Sequence, residues 1–294
     1  MTSHDAYGPT DTAEPDIGFQ AGFGFYLGLV ATGVAAIVGV IAGVTTATLL
    51  GLLPSTLTIV AIGGHLLARR AVGLPERIGR CRRRRLACYL PAVAFAGVVA
   101  VAAAGPFEIT SRFAAVTAVV VLLTALAGGG LSRLARNRYI DAITGDEPLA
   151  RWSWHRVGYG TYEWIAIVGS VLAIGGGLVA VVLGNWSGLF WVVYGAFFLL
   201  AQTIDGSDWF AIDPRDRWNP PELRVHEAGL VVDGAFTTRV VPWERIDGVW
   251  LTDDELTLAL DRRWLDIRCD RSTIDDPEAV CEAIKAARGG GRDR

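Results

Sequence analysis

The sequence predicts an α-helical membrane bundle of six transmembrane helices, followed by a small C-terminal β-rich cytoplasmic domain of about six strands and one helix. Three observations carry this expectation. From Gly18 to Ala68 there is no Asp, Glu, Lys or Arg, a run of 51 residues, whereas about 20 apolar residues cross a bilayer once. Arginine is concentrated in alternate connections between apolar segments. After Glu222 the apolar residues change to short alternating runs, the period of half-buried strands.

Composition agrees. Apolar residues make up 52% of the 294-residue chain and charged residues 19%, below the roughly 25% usual in soluble domains. Residues 1–18 hold four acids and no Lys or Arg; residues 19–204 hold 14 Arg and six acids; residues 205–294 hold 13 basic and 20 acidic residues. The leader is acidic and its apolar run is too long for a secretory signal. It reads as a disordered tail (1–18) before a retained first span.

The first apolar tract must hold two spans. Cutting it at Pro54 leaves too few residues before Arg69, so the break falls near Gly43 to Thr46. The expected spans are 19–42, 46–67, 86–105, 113–131, 164–183 and 186–204. Pro54 then lies inside the second, as a kink that neighbouring helices tolerate in a membrane. Orientation follows from Lys and Arg in the short loops. The loop after span two holds Arg69, Arg70, Arg77, Arg80, Arg82, Arg83, Arg84 and Arg85; the loop after span four holds five more; the three opposite loops hold Arg112 alone. Thirteen against one makes the even loops, and both termini, cytoplasmic. The eight arginines are expected to fix topology and to touch anionic lipid headgroups. They lie between two spans and not on a basic face of a folded domain, so nucleic acid is excluded as a partner.

Trp152, Trp154, Trp164, Trp186 and Trp191 flank the last two spans and are expected as interface anchors, where Trp and Tyr form belts. His65 is the one titratable His inside a span; near a membrane edge it is expected to reach headgroups, with a pH-sensitive gate as the sharper alternative. No acid or base stands at a predicted midplane, where transport and proton relay place them. Paired glycines such as Gly24 and Gly28 read as close helix packing.

Residues 205–221 read as a linker and 222–288 as a folded domain, with a short disordered tail at 289–294. "LRVHEAGLVV" gives two strands around a turn at Glu227–Gly229, and Asp233-Gly234 signals a hairpin. "FTTRVV", "DGVWLT", "ELTLAL" and "RRWLDIRC" supply four more. "DDPEAVCEAIKAA" reads as a helix with Asp276 as its cap, ended by Gly289 to Gly291.

The stretch "GLVVDGAFTTRVVPWERIDGVWLTDDELTLAL" with its DPEAV helix resembles the bacterial-type pleckstrin-homology-like domain of membrane proteins, over about 70 residues near Leu223–Ala287. Trp243, Ile246 and Val249 stand as the "W..I..V" turn that such domains carry. The resemblance implies a core of Leu230, Val232, Val240, Trp243, Ile246, Val249, Leu258, Leu260, Ile267, Val280 and Ile284. It also implies seven strands where the sequence shows six; the seventh is expected to be irregular or to lie in Asp208–Asp213. Acidic soluble segments with a single Lys, Lys285, also resemble a haloarchaeal proteome in composition.

Phosphoinositide binding needs Lys and Arg aimed at phosphates. His226 to Gly229 holds neither, and Arg262-Arg263 is the sole local basic pair of an acidic domain. The four cysteines form no CxxC pair, and no phosphate loop, nucleophile elbow or HExxH is present. No cofactor or metal is expected. The expected function is that of a non-enzymatic membrane protein whose C-terminal domain mediates protein interaction or self-association. The alternative is a small-solute transporter or channel with a cytoplasmic regulatory domain. A lipid-modifying enzyme using Glu163, His155 or Asp141 stands third.

Overall fold

The computed structural model describes residues 16–105, 110–154, 162–185, 187–201, 220–234, 238–261 and 266–292. The chain divides into two compact units. One holds the described residues within 11–136 and 165–205, the other those within 137–164 and 206–294.

The first unit is helical. α1 (Ile17–Ile41) starts at Asp16, whose Oδ1 accepts from the Phe19 N–H at 2.7 Å, the usual N-cap arrangement. Ile17 and Gly18, expected in the tail, are therefore helical. A turn with Gly43 at φ +73° leads into α2 (Thr46–Arg70), which runs through Pro54. α3 (Leu74–Arg80) and α4 (Arg82–Ala87) follow, so the second loop is two short helices. α5 spans Leu90–Ala104. It starts later than the expected Leu86 because the ring of Pro91 is incompatible with a carbonyl at Ala87, which ends α4.

α6 (Ser111–Ile143) is longer than expected, carrying Arg133, Arg136 and Arg138 on its own extension. α7 (Tyr162–Val182) and α8 (Gly188–Ala201) follow. Among the described residues α1, α2 and α6 are long and apolar enough to cross a membrane. Shorter apolar stretches occupy Leu90–Ala102, Val168–Val182 and Gly188–Phe198.

α1 is the hub of the first unit. Phe19 and Tyr26 pack with Cys88, Leu131 and Ala135, and Ala36 and Ile37 pack with Phe95, Phe113 and Val120. The Tyr26 hydroxyl donates to the Cys88 carbonyl at 2.8 Å. Arg112 Nη2 donates to the Val44 carbonyl at 2.6 Å, tying the start of α6 to the α1–α2 turn. Thr117 and Thr124 are buried and return their hydroxyls to the Phe113 and Val120 carbonyls, so the apolar helix leaves neither unsatisfied. α7 and α8 form a hairpin in which the backbones approach closely at Gly177 and Gly188.

The second unit is β-rich. β1 (Ala150–Ser153), β2 (Glu222–His226), β3 (Gly229–Asp233) and β4 (Thr238–Val241) form one antiparallel sheet in that order. β5 (Ile246–Leu251), β6 (Glu255–Leu260) and β7 (Ile267–Asp270) form another, and α9 (Pro277–Arg292) closes the chain. Asp276 Oδ1 accepts from the Ala279 N–H at 2.9 Å, capping α9. α9 continues through Gly289–Gly291, which were expected to end it. Glycine weakens a helix but keeps its N–H and brings no clash, and Arg288 holds this end by donating to the Asp247 carbonyl at 2.7 Å.

β1 is the unexpected element. It comes from the segment before α7, which the sequence assigned to the transmembrane domain, and it brings the strands among the described residues to seven. The α7–α8 hairpin is thus inserted between two adjacent strands of one sheet. At the point of insertion the Trp154 N–H donates to the Pro221 carbonyl at 2.7 Å. The alternative placement of a strand in Asp208–Asp213 lies outside the described residues.

Candidate functional site

The β unit is built on one core: Trp152, Leu223, Val225, Leu230, Trp243, Ile246, Leu256, Leu258, Ile267, Cys269, Ile274, Val280, Cys281 and Ile284 are buried together. Val232, Val249 and Leu260 pack against it. Of the eleven expected core positions, Val240 is the exception. It is half-buried and its neighbour Val241 points to the core instead, because the alternation of β4 falls one residue later than assumed. Trp243 donates its indole N–H to the carbonyls of His226 and Glu227, both at 3.1 Å. That bond joins the turn before β5 to the turn between β2 and β3. Gly229 has φ +147°, and a Cβ there would stand 2.5 Å from the Val241 carbonyl oxygen, so only glycine fits that turn.

Trp152 and Trp154 are not membrane anchors. Trp152 is 6% exposed inside the core, and Trp154 packs against it while donating Nε1–H to the Arg268 carbonyl at 2.8 Å. The alternation of a strand, and not a bilayer surface, sets their spacing. Trp191 lies on α8, about half exposed, edge-on to Phe190 and Tyr194. Trp164 lies in α7; Trp186, Arg262, Arg263 and His155 lie outside the described residues.

Part of the outer face of the four-stranded sheet, around His226 and Val231, is buried by the chain itself. His226 and Val231 project away from the core, yet they are 2% and 1% exposed. Two bonds identify the cover. Asn137 of α6 accepts from the Thr238 N–H at 3.1 Å. Asp146, between α6 and β1, accepts from the Glu227 N–H at 3.1 Å and meets His226 Nδ1 at 3.1 Å. Beside them Arg224 pairs with Asp233 across the β2–β3 ladder. The end of α6 and the following loop are thereby part of the β unit.

Burial alone pushes the Asp146 carboxyl up, but the Glu227 N–H and His226 outweigh it and hold the group below the usual carboxylate range. A carboxyl whose pKa is lower folded than unfolded stabilises fully above the ordinary range and loses that contribution as pH falls through the folded value. Asp146→Asn keeps an oxygen for the Glu227 N–H and removes the charge. Melting of the full-length variant near pH 7 is expected to be weaker by about 1 kcal/mol, the scale of a partly exposed pair. The difference should vanish in thermal melts taken below the carboxylate range; a difference that persists there would assign the loss to packing.

The basic residues gather elsewhere. Arg69 and Arg70 occupy the last turn of α2, Arg77 and Arg80 lie on α3, and Arg82 to Arg85 form most of α4. α3 is held by Leu74 and Ile78, which pack on the cluster around Phe19, Tyr26 and Leu131. His65 is half-buried in α2 beside the close approach to α1 at Gly24.

Among the described residues no three His, Cys, Asp or Glu stand together in a way that could hold a metal ion. The four cysteines are free, and burial pushes the Cys269 thiol up to about 11. A shallow hollow of roughly 360 Å³ lies at the β5–β6 turn, lined by Asp253, Asp254, Asp270, Arg271, Ser272 and Pro277. Its Arg271 is already engaged by Glu278 at 2.5 Å and by the Thr252 carbonyl at 2.8 Å. No protein-family model, curated protein or solved structure matches the chain.

The outer face of the three-stranded sheet differs from the covered one. Trp250 on β5 is 54% exposed. Its ring lies over Gly248, and its cross-strand neighbour is Thr257, itself opposite Arg268. Trp is enriched among the residues that dominate protein–protein contacts.

Proposed function

We propose that the chain is a six-span, non-enzymatic membrane protein whose cytoplasmic β unit is a pleckstrin-homology-like interaction module. The observation that carries this reading is the pairing of β1 with β2 across the α7–α8 insertion. It supports the fold in two ways. It raises the strand count to the seven that the resemblance implies, in sheets of four and three with a C-terminal helix. It also supports an even number of crossings between residues 154 and 220, since both strands share one sheet and therefore one side of the membrane. The arginine bias names that side as cytoplasmic. Arg112, the one arginine of the opposite loops, is used by the Val44 carbonyl.

The module's role is protein contact or self-association. One sheet face is engaged in part by the end of α6 and the loop after it, while the other presents Trp250. A photoreactive residue at position 250 of the full-length chain, activated in its native membrane, is expected to give a discrete protein adduct. An adduct of twice the chain mass means self-association, and another discrete mass means a partner. Absence of any protein adduct at 250, with solute flux in liposomes containing the pure protein, would overturn this reading in favour of a transporter or channel.

A further inference from the structure

We propose that α2, α3 and α4 form a binding site for an anionic phospholipid, one that retains individual lipid molecules. The inference rests on the membrane reading above and adds a ligand to it. Eight arginines and a single acid, Glu76, lie between Arg69 and Leu86, and seven of the eight are exposed. A diffuse potential would need only their charge. Here they are also held in place. Leu74 and Ile78 pin α3 to the α1–α6 core. The Cys88 carbonyl, just beyond α4, accepts the Tyr26 hydroxyl at 2.8 Å. Arg84 Nη1 donates to the Arg77 carbonyl at 3.2 Å, linking α4 to α3.

The neighbours of these arginines decide between a lipid and a free phosphate. Leu66 and Leu67 precede Arg69, Val72 follows Arg70, and Leu86 and Leu90 follow Arg85. They are 53%, 57%, 42%, 43% and 62% exposed, in that order. A soluble phosphate has no use for a rim of exposed apolar side chains. An amphiphile does: its phosphate meets guanidinium groups, which suit phosphate geometry, and its acyl chains cover the leucines. The basic segment also leaves directly from the end of a 25-residue apolar helix of membrane length, which is where headgroups stand.

The test uses the full-length protein released by mild detergent from bilayers of equal phosphatidylglycerol and phosphatidylcholine, with retained lipids counted by native mass spectrometry. Phosphatidylglycerol should remain bound in preference. Arg77→Gln with Arg83→Gln leaves six arginines to hold orientation and should weaken retention about thirtyfold, at about fivefold per arginine near the surface. Arg77→Lys with Arg83→Lys keeps the charge but loses the guanidinium fork; it should weaken retention less than the Gln pair does while leaving the preference reduced, which separates a site from both a diffuse potential and a damaged fold. Equal retention of both lipids, or no change in the Gln variant, would overturn the site while leaving the membrane reading intact. Displacement of the lipid by millimolar inorganic phosphate would show a phosphate site without lipid selectivity, and would also overturn it. Release of the protein from membranes by alkaline carbonate would overturn both the site and the membrane reading.

Discussion

A fragment of residues 205–294 will fail to unfold cooperatively, and a fusion that restores β1 will do so. The fragment contains every strand that alternation reveals, yet it lacks Trp152, which is 6% exposed at the centre of the β core. It also lacks the edge of the sheet. Residues 150 to 153 pair in register with Val225, Arg224, Leu223 and Glu222, and the Leu149 N–H donates to the Val225 carbonyl at 2.9 Å just beyond them. Removing a buried Trp costs about 3–5 kcal/mol, against a total stability of about 5–15 kcal/mol for a whole domain. Losing the strand as well removes the margin. The repair is short, because the Trp154 N–H and the Pro221 carbonyl are 2.7 Å apart. Joining 137–154 to 221–292 through a two-residue turn replaces the whole α7–α8 hairpin. That fusion should show one sigmoidal urea transition, and Trp152→Ala within it should lose about 3–5 kcal/mol. If 205–294 alone unfolds with the same midpoint and slope as the fusion, β1 is not part of the cooperative unit.

The contrast between β1 and the other strands shows what the sequence could and could not convey. β2 to β7 sit in a continuous acidic, alternating stretch, where turns such as Asp233-Gly234 punctuate the pattern. β1 is four residues long. Its signal, Ala150, Trp152 and Trp154 alternating with Arg151 and Ser153, is a strand pattern, but next to an apolar segment the same tryptophans read as an interface belt. Local pattern cannot tell the two apart, because the partner strand lies about 70 positions downstream. The Asp146–His226 contact was hidden for the same reason: each residue is unremarkable alone, and only the fold brings them within 3.1 Å. The arginine segment was legible in composition. Its two short helices were not, since six arginines in ten residues mask the apolar spacing of Leu74 and Ile78 that holds α3 in place. Helix ends moved for identifiable reasons, Pro91 shortening α5 and the lack of any Gly or Pro between Leu131 and Ile143 letting α6 run on past its expected end.

Gly24→Leu should disrupt the first unit, while Gly63→Leu should leave it unchanged. In α1–α2 the backbones cross at Gly24 and Gly64. A Cβ at Gly24 would stand 2.3 Å from the Ala61 carbonyl oxygen and 2.8 Å from the His65 nitrogen, and one at Gly64 would stand 2.9 Å from the Gly24 Cα. These are backbone atoms, so no rotamer change relieves the clash and the helices must separate. For apolar helices in lipid nothing compensates, because lipid tails are as apolar as the helices and association rests on close packing. Overpacking typically costs about 1–3 kcal/mol, and a clash with two backbone atoms belongs at the upper end. Gly63 is one position away, has nothing within 4 Å of a built Cβ, and controls for the change in helix propensity and hydrophobicity. Melting of the purified full-length protein in detergent should fall sharply for Gly24→Leu alone. A wild-type transition in that variant would show that the helices do not cross at Gly24. The consequence should extend beyond the hairpin. Tyr26, two residues along α1, holds the Cys88 carbonyl next to the arginine helix α4, so displacing α1 should also loosen the basic segment and, under the lipid-site proposal, reduce retention of anionic lipid. Gly24→Leu and the Arg77/Arg83 glutamine pair would then weaken the same binding by different routes, and only the former would lower the melting temperature.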